Sequence, residues 1–490
     1  MVRWPALCGV VLLAACSAAP PDAIVFALAT APSVLDPRLA GDAASERVNA
    51  LLYEPLVRLD SDGAARPAMA DWERLTPTRY QVRLRPGRLP FWDGRRPVAA
   101  DVEATYSTLL DAGLGSPHAG ALAVIERIER LDDETLDFVL TRPDPGFIER
   151  LNIGIAPAQA LDASLAAAPM GSGPFEFLAW RGDGGVVLRR RADAERFALV
   201  PVADPTMRVL KLLRGEAHLL QNDLPAELYG YLARQPGVDL VEGPGTTFAY
   251  LGFNLADPVL GEYAVRRAIA HAVDRDAIVR HLFGGRAEAA ESVLRPGHHA
   301  GVRELPGHRH DPGLARAWLA RVGHGPERPL RLQYKTSTDP FRLRVAHVLQ
   351  AQLAEVGIEL DIASSEWGTF FADVRAGRFQ LYSLAWVGVK SPDILRHAFH
   401  SAAVPPGGAN RGGYRSAAVD ALLDAAGAAP ADDAARLYAA AQRQVHADLV
   451  YVPLWYEANV AASRGVAGYR TRADGGYLEL NAVRRVAADG

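Results

Sequence analysis

Cysteine is almost missing from this chain. The only two, Cys8 and Cys16, fall within the first sixteen of 490 residues, so the body can form no disulfide. Its stability must come from a large core, which this length supplies. Lysine is nearly absent too: Lys211, Lys335 and Lys390 stand against fifty arginines, a skew of base composition without functional weight. No basic excess exists either. A formal net charge of −4 argues against a nucleic-acid partner, because phosphate binding needs a basic face. Past the N-terminus there is no long apolar run, internal repeat, charge block or long low-complexity tract. What remains is ordinary globular composition, 49% hydrophobic and 22% charged, expected to be soluble and to form two or three domains.

Catalytic signatures are missing as well. The chain has no G-x-S-x-G, S-x-x-K, H-E-x-x-H or P-loop, so hydrolase, metalloprotease and nucleotidase readings lose their usual marks. Accordingly no catalytic residue and no cofactor is assigned.

The N-terminus carries a strong signal. A basic start at Arg3 and an apolar stretch from Ala6 to Ala14 are too short for a membrane span and read as a signal peptide over residues 1–15. Leu13-Ala14-Ala15-Cys16 resembles the lipobox of bacterial lipoproteins, which makes Cys16 the lipidation site, residues 16–22 a lipidated linker, and the lipid the only hold on a membrane. An ordinary secretory signal with a chance cysteine is the alternative. Either way the expected location is outside the inner membrane, with lipid anchoring in the periplasm as the first reading.

Periodicity outlines an α/β body. Ile24 to Ala29, Tyr80 to Leu84, Leu136 to Leu140 and Phe175 to Leu178 read as strands, and residues 46–58 and Ala99 to Leu110 as helices. Leu330, Leu332 and Tyr334 alternate, Val345 to Val356 recurs at helical spacing, and Ile358, Leu360 and Ile362 alternate again. That is a β-α-β unit whose second strand, carrying Glu359 and Asp361, lies near an edge. A helix pair over 260–284 shows a Val265, Ala268, Ile269, Ala272 stripe and an Asp274 N-cap. Segments 296–313 and 404–413 are loop-like.

Few clusters suggest chemistry. Gly171-Ser172-Gly173-Pro174 reads as a turn before a strand. His298, His299, His308 and His310, with His397 and His400, lack the accompanying carboxylates or thiolates in fixed geometry that metal sites need, so no metal is assigned. Trp367 and Trp386 are more suggestive, since a tryptophan at a strand end can close a ligand pocket. Core packing is the competing reading.

An ordered set of segments resembles the family 5 extracellular solute-binding proteins, which include dipeptide, oligopeptide, nickel and haem receptors of bacterial ABC importers. The segments are Leu35-Asp36-Pro37, Tyr53-Glu54-Pro55-Leu56, Phe91-Trp92-Asp93-Gly94-Arg95-Arg96-Pro97-Val98, Ala100-Asp101-Val102 and Gly171 to Phe175. They continue with Tyr250-Leu251-Gly252-Phe253-Asn254, Val265 to Ile269, Ala272 to Arg275, Glu366-Trp367, Gly377-Arg378-Phe379, Trp386, Pro392-Asp393, Gly413-Tyr414 and Val419-Asp420. The resemblance implies an α/β fold of the type II periplasmic binding protein kind, with two lobes, an extra third domain, and mixed sheets flanked by helices. By analogy the first lobe is 23–52 plus 172–256 plus 456–490, its companion domain 53–171, and the second lobe 257–455. It also implies a monomer that captures a peptide or peptide-like solute, closes on it, and delivers it to an ABC permease and its ATPase. A nickel-complex, haem or opine-like ligand is the alternative within the class. A lipid-anchored enzyme, or a sensor or chaperone on the same fold, remains open outside it.

The resemblance also implies site residues. Ser33 and Val34 would offer backbone to an extended ligand. His118, Gln221, Asn222, Asn254, Trp367 and Trp386 would line the pocket. The family aspartate that holds a peptide's ammonium falls on Val389, and two arginines that meet the peptide carboxylate fall on Val374 and Ser383. A loop shift could bring Asp393, Lys390 or Arg375 into those roles; otherwise the ligand lacks zwitterionic termini.

Because acyl chains lie outside the core, Cys16→Ser is expected to move the protein from the membrane to the soluble periplasmic fraction without changing its fold. Cell fractionation checks this, and an unchanged membrane fraction would remove the lipobox reading.

Overall fold

The computed structural model describes residues 22–486 apart from 62, 145 and 163. The expected signal peptide, Cys16 and all but the last residue of the expected linker lie outside the described residues.

Eleven strands form one mixed sheet that runs through both halves of the molecule. Its order along the sheet is Ile358–Ser365, Leu330–Ser337, Leu381–Trp386, Asp239–Phe253, Tyr451–Ser463, Leu219–Gln221, Ile24–Leu28, Arg196–Pro201, Val186–Arg190 and Phe175–Trp180, with Ala287–Ala289 beside Tyr451–Ser463. Two of these strands are much longer than the rest. Asp239–Phe253 and Tyr451–Ser463 pair antiparallel along most of their length and carry the sheet from one half to the other. Ile24–Leu28 and its neighbours enclose one pair of apolar cores, and the 248–456 region another pair. A separate antiparallel sheet, ordered Ala70–Thr76, Arg79–Leu84, Thr135–Leu140, Ile125–Arg130, has its own core of residues between Leu56 and Ile155.

Local chemistry explains where elements start and stop. The Asp-Pro pairs at 204–205, 311–312 and 339–340 open helices Pro205–Leu213, Pro312–Ala320 and Pro340–Ala354: each aspartate accepts an amide bond from the first turn, and each proline needs no partner there. The β-α-β unit is present as Leu330–Ser337, Pro340–Ala354 and Ile358–Ser365. Its strands pair in parallel, and Glu359 and Asp361 are exposed on the edge strand. In the helix pair Tyr263–Ala272 and Arg275–Leu282, the whole Val265 to Ala272 stripe is buried and Asp274 caps the second helix. One expectation is corrected. The helix expected over 46–58 runs from Ala43 to Leu52, because Asp42 caps it early, and Pro55 favours extended backbone at the residue before it and cannot continue the amide ladder.

The Gly171 to Pro174 turn has a packing reason. A Cβ on Gly173 would lie 2.4 Å from the Leu51 carbonyl oxygen, and one on Gly171 2.1 Å from that of Leu52, so the turn sits flat against the end of helix Ala43–Leu52. Gly173→Ala is therefore expected to lower the thermal midpoint by several degrees, a cost of about 2 kcal/mol or more. Gly87→Ala, where an added Cβ meets nothing within 4 Å, is the control and leaves the midpoint in place.

Candidate functional site

The crossing strands do not pair evenly. Gly243 is opposite Asn459 and Thr247 opposite Glu457, so three residues of one strand face one of the other. Gly245 fits in this bulge only because it lacks a side chain, since a Cβ would approach the Glu457 carbonyl oxygen to 2.0 Å. The break lies where the two halves meet.

Cavities follow the same junction. One of about 820 Å³ lies between the four-stranded unit and the segment after Trp386, lined by Asp144, Arg150, Trp386, Val389, Asp393 and Ile394 among others. A second, of about 430 Å³, shares Val387 and Lys390 with it and adds Tyr53, His118 and Asp474. A third, of about 170 Å³, is lined by Tyr334, Arg342, Ser383, Trp455 and Glu457 at the foot of the crossing strands.

Trp386 ends the strand Leu381–Trp386, opposite Phe248. Its ring is near-parallel to that of Tyr250 at 6.2 Å, and the Arg411 guanidinium lies 4.9 Å from its centroid. Its indole N–H is buried without a hydrogen-bond partner. Just beyond, the Gly388 amide donates to Thr247 Oγ1 (3.3 Å) and the Val389 amide to the Thr246 carbonyl (3.2 Å), which fastens this loop to the bulge.

Charged contacts then join this loop to the opposite wall. Arg150 donates to Asp393 Oδ2 at 2.6 Å and also to Asp144; Ser391 donates to Glu149 at 3.3 Å; Lys390 lies 3.5 Å from Asp474. His299 Nε2 lies 3.6 Å from Glu149. Burial, reinforced by the Asp393 charge, pushes the Glu149 carboxyl up to about 8, so it is mostly protonated at neutral pH.

The expected site residues are not all gathered here. Trp386, Val389 and Asp393 share the largest of the three cavities, and His118, whose pKa burial lowers, lines the adjoining one. Asp393 is engaged by Arg150, and Lys390 by Asp474. Arg375 is exposed at the end of helix Trp367–Arg375, and Val374 is in the core. The Ser33 and Val34 amides both donate to Ser45 Oγ (2.8 and 3.1 Å). Gln221 bonds the Gly475 carbonyl and Tyr469, and Asn222 bonds Asn459 and the Val460 amide, which ties both to the crossing strand and its C-terminal strap. Asn254 donates to the Gly377 and Phe379 carbonyls at the far end of the long strand. Trp367, 45% exposed, is set on the first turn of its helix by the Glu366 cap and lies under the Arg342 guanidinium, 5.1 Å from the ring centroid.

The histidines scatter. His298 meets the Lys390 carbonyl, His308 stacks on His446 at 4.5 Å with burial pushing its pKa down to about 3, and His310 lies 3.4 Å from Asp274. Among the described residues no group of three or more His, Cys, Asp or Glu side chains is placed to hold a metal. Sequence reasoning missed Glu149, Arg150, Arg342 and Glu457. Only Arg342 had a local cue, the Asp339-Pro340 pair that starts its helix.

Two lobes joined by crossing strands, with a cleft at the junction, define a type II periplasmic binding protein. The chain belongs to the bacterial extracellular solute-binding proteins, family 5, whose middle-region model matches residues 65–406. It is 29% identical over 410 residues to probable di/tripeptide-binding protein 5 of Pseudomonas aeruginosa (strain UCBPP-PA14), covering 76% of this chain and 77% of that one. It is 27% identical to the glutathione-binding protein GsiB of Escherichia coli (strain K12), covering 95% of each. The solved structure of NikZ from Campylobacter jejuni in complex with Ni(L-His) superposes with a TM-score of 0.81 at 20% identity, covering 95% of this chain and all of that one. Proteins of this family are transport receptors and not enzymes.

A raised Glu149 pKa means that the folded state favours the neutral acid. That contribution is complete below the unfolded value of 4.5 and is lost as pH rises through about 8. Glu149→Gln, which stays neutral, is therefore expected to gain on the wild type between pH 5 and pH 9, by on the order of 1 kcal/mol or more. Thermal melts across that range check it, and a pH-independent difference would contradict it.

Proposed function

We propose that this chain is the capture subunit of an ABC importer for a peptide or peptide-like solute, held at the envelope by lipid on Cys16, and that it hands its solute to the permease as a closed monomer. The observation that carries the reading is the cleft: cavities of about 820 and 430 Å³ meet at the 387–390 loop, large enough for a short extended solute and walled by three separate bodies. Relatives named for di- and tripeptides and for glutathione support the solute class.

In this reading the first lobe is 23–52, 172–256 and 456–490, the companion 53–171, and the second lobe 257–455. Separate apolar cores and the two crossing strands support a division of this kind, although residues 248–253 pack in the cores of the second lobe, and Tyr53, Ala156 and Leu165 in that of the first. Closure would be latched by Arg150 with Asp393 and by Lys390 with Asp474. The permease would then read a surface that exists only when those contacts form. Trp386 would cap the solute with its ring and its unsatisfied N–H.

Mass spectrometry of small molecules that co-purify with the protein is the direct test, and short peptides or amino-acid conjugates are the expected species. Trp386→Ala is expected to weaken calorimetric affinity for the identified solute by at least ~1 kcal/mol. If no peptide-class solute co-purifies and none of a di- to hexapeptide library binds, the reading fails. Loss of stability without selective loss of affinity would assign Trp386 to packing alone.

A further inference from the structure

The unit of residues between Leu56 and Ile155 has its own core, and it meets the second half of the molecule across polar and charged groups. Ile148 and Leu151 hold the turn Ile148–Arg150 in the first core, while Val389 and Leu395 hold the facing segment in another. From that turn the Glu149 carboxyl reaches two segments of the opposite body. Ser391 donates to its Oε2 at 3.3 Å, and His299 Nε2 lies 3.6 Å from its Oε1. Ser391 is set for this contact, because its Oγ accepts the Asp393 amide at 3.3 Å and so keeps its own proton for Glu149. Gly63 touches the same two segments. A Cβ there would lie 2.3 Å from His298 Nε2 and 2.4 Å from the Lys390 carbonyl oxygen, two groups bonded to each other at 3.1 Å.

Acids outnumber cations at this contact. Arg150 already bonds both Asp144, on its own wall, and Asp393, on the other. Lys390 is turned to Asp474, and Arg396 to Asp424. Arg142 lines the cavity but is exposed to solvent. Tyr438, from helix Ala431–Asp448, adds a hydroxyl that burial keeps protonated. An ionised Glu149 would therefore be a third carboxylate beside one shared arginine. As a neutral acid it accepts from Ser391 through one oxygen and turns its hydroxyl to the His299 ring nitrogen.

We propose that Glu149 is a proton-operated latch: the two bodies close on each other while its carboxyl is protonated and part as it ionises, so that solute capture strengthens as the medium turns acidic. The proposal rests on the capture function given above and adds its regulation. Burial first, and then the Asp393 charge, raise the carboxyl to about 8 against the pull of Ser391 and Arg150. Once the bodies part, Glu149 faces water as an ordinary carboxylic acid, so closing at neutral pH takes up a proton. The advantage of the closed form is complete below the ordinary value of 4.5 and is lost as pH rises through about 8. Affinity then falls by up to about tenfold per pH unit inside that window.

The test offers the purified protein a casein hydrolysate of di- to pentapeptides at pH 6.0 and at pH 8.5, with mass spectrometry of the retained species. The wild type is expected to retain at least tenfold more at pH 6.0, and Glu149→Gln, which stays neutral, to lose most of that difference. The variant also corrects for titration of the peptides' own amines. Equal retention at the two pH values by the wild type overturns the latch whether or not the variant folds, and an undiminished difference in a folded Glu149→Gln variant overturns it as well. If nothing is retained at either pH, the peptide reading has failed and the latch is read without solute, from the carbon-13 carboxyl resonance of Glu149, assigned by its loss in Glu149→Gln. A midpoint near pH 8 in the wild type that returns to the ordinary carboxyl range in Gly63→Ala, whose Cβ would hold the bodies apart, upholds the latch. An ordinary midpoint in the wild type, or a raised one in both proteins, overturns it.

Discussion

The pairing of Asp239–Phe253 with Tyr451–Ser463 is the constraint on which the rest depends. Strands of five or six residues suffice for most sheets, so strands of fifteen and thirteen need another reason. Here they belong to two cores at once: their far ends pack under the Leu330 to Ile358 unit, and their near ends pair toward Leu219–Gln221. A continuous ladder would make the two halves one stiff body. The three-against-one bulge at Gly243 to Thr247 interrupts that ladder beside the 387–390 loop.

Loop attachment follows from that break. Thr246 and Thr247 receive the Val389 and Gly388 amides, so the segment carrying Trp386 to Asp393 is fastened to the bulge. Its ions then face the companion wall, where Arg150 lies between Asp144 and Asp393, and the Lys390 partner Asp474 lies on the C-terminal strap. One arginine shared by two partly buried acids gives each carboxylate a bonded partner, while burial still raises the Asp393 carboxyl.

Much of the architecture was legible in order along the chain. Asp-Pro pairs, the Val265 to Ala272 stripe and the alternation through Leu330 and Ile358 are short-range patterns, and each became the element its spacing indicated. The helix near residue 46 was displaced because the cap at Asp42 and the stop at Pro55 both act within a few residues, and the apolar pattern alone ran past them. Family motifs from Leu35 to Asp420 marked the class before any contact was known.

Side-chain partnership was not legible, because it joins residues far apart in the chain. Arg150 and Asp393 are separated by 243 positions, and no local pattern distinguishes that arginine from the other forty-nine. Ser33, Gln221 and Asn254 look like free polar groups in sequence, yet each is already bonded to other protein groups. Glu457 reads as one polar residue in an apolar strand; only the tertiary fold sets it at the bulge, opposite Thr247, and in a cavity with Arg342 and Trp455. The sequence by itself determined the elements, their order and the family, since propensity, capping and periodicity act over a few residues. Which charges meet was decided by tertiary structure, since burial and electrostatic pairing depend on distance in space.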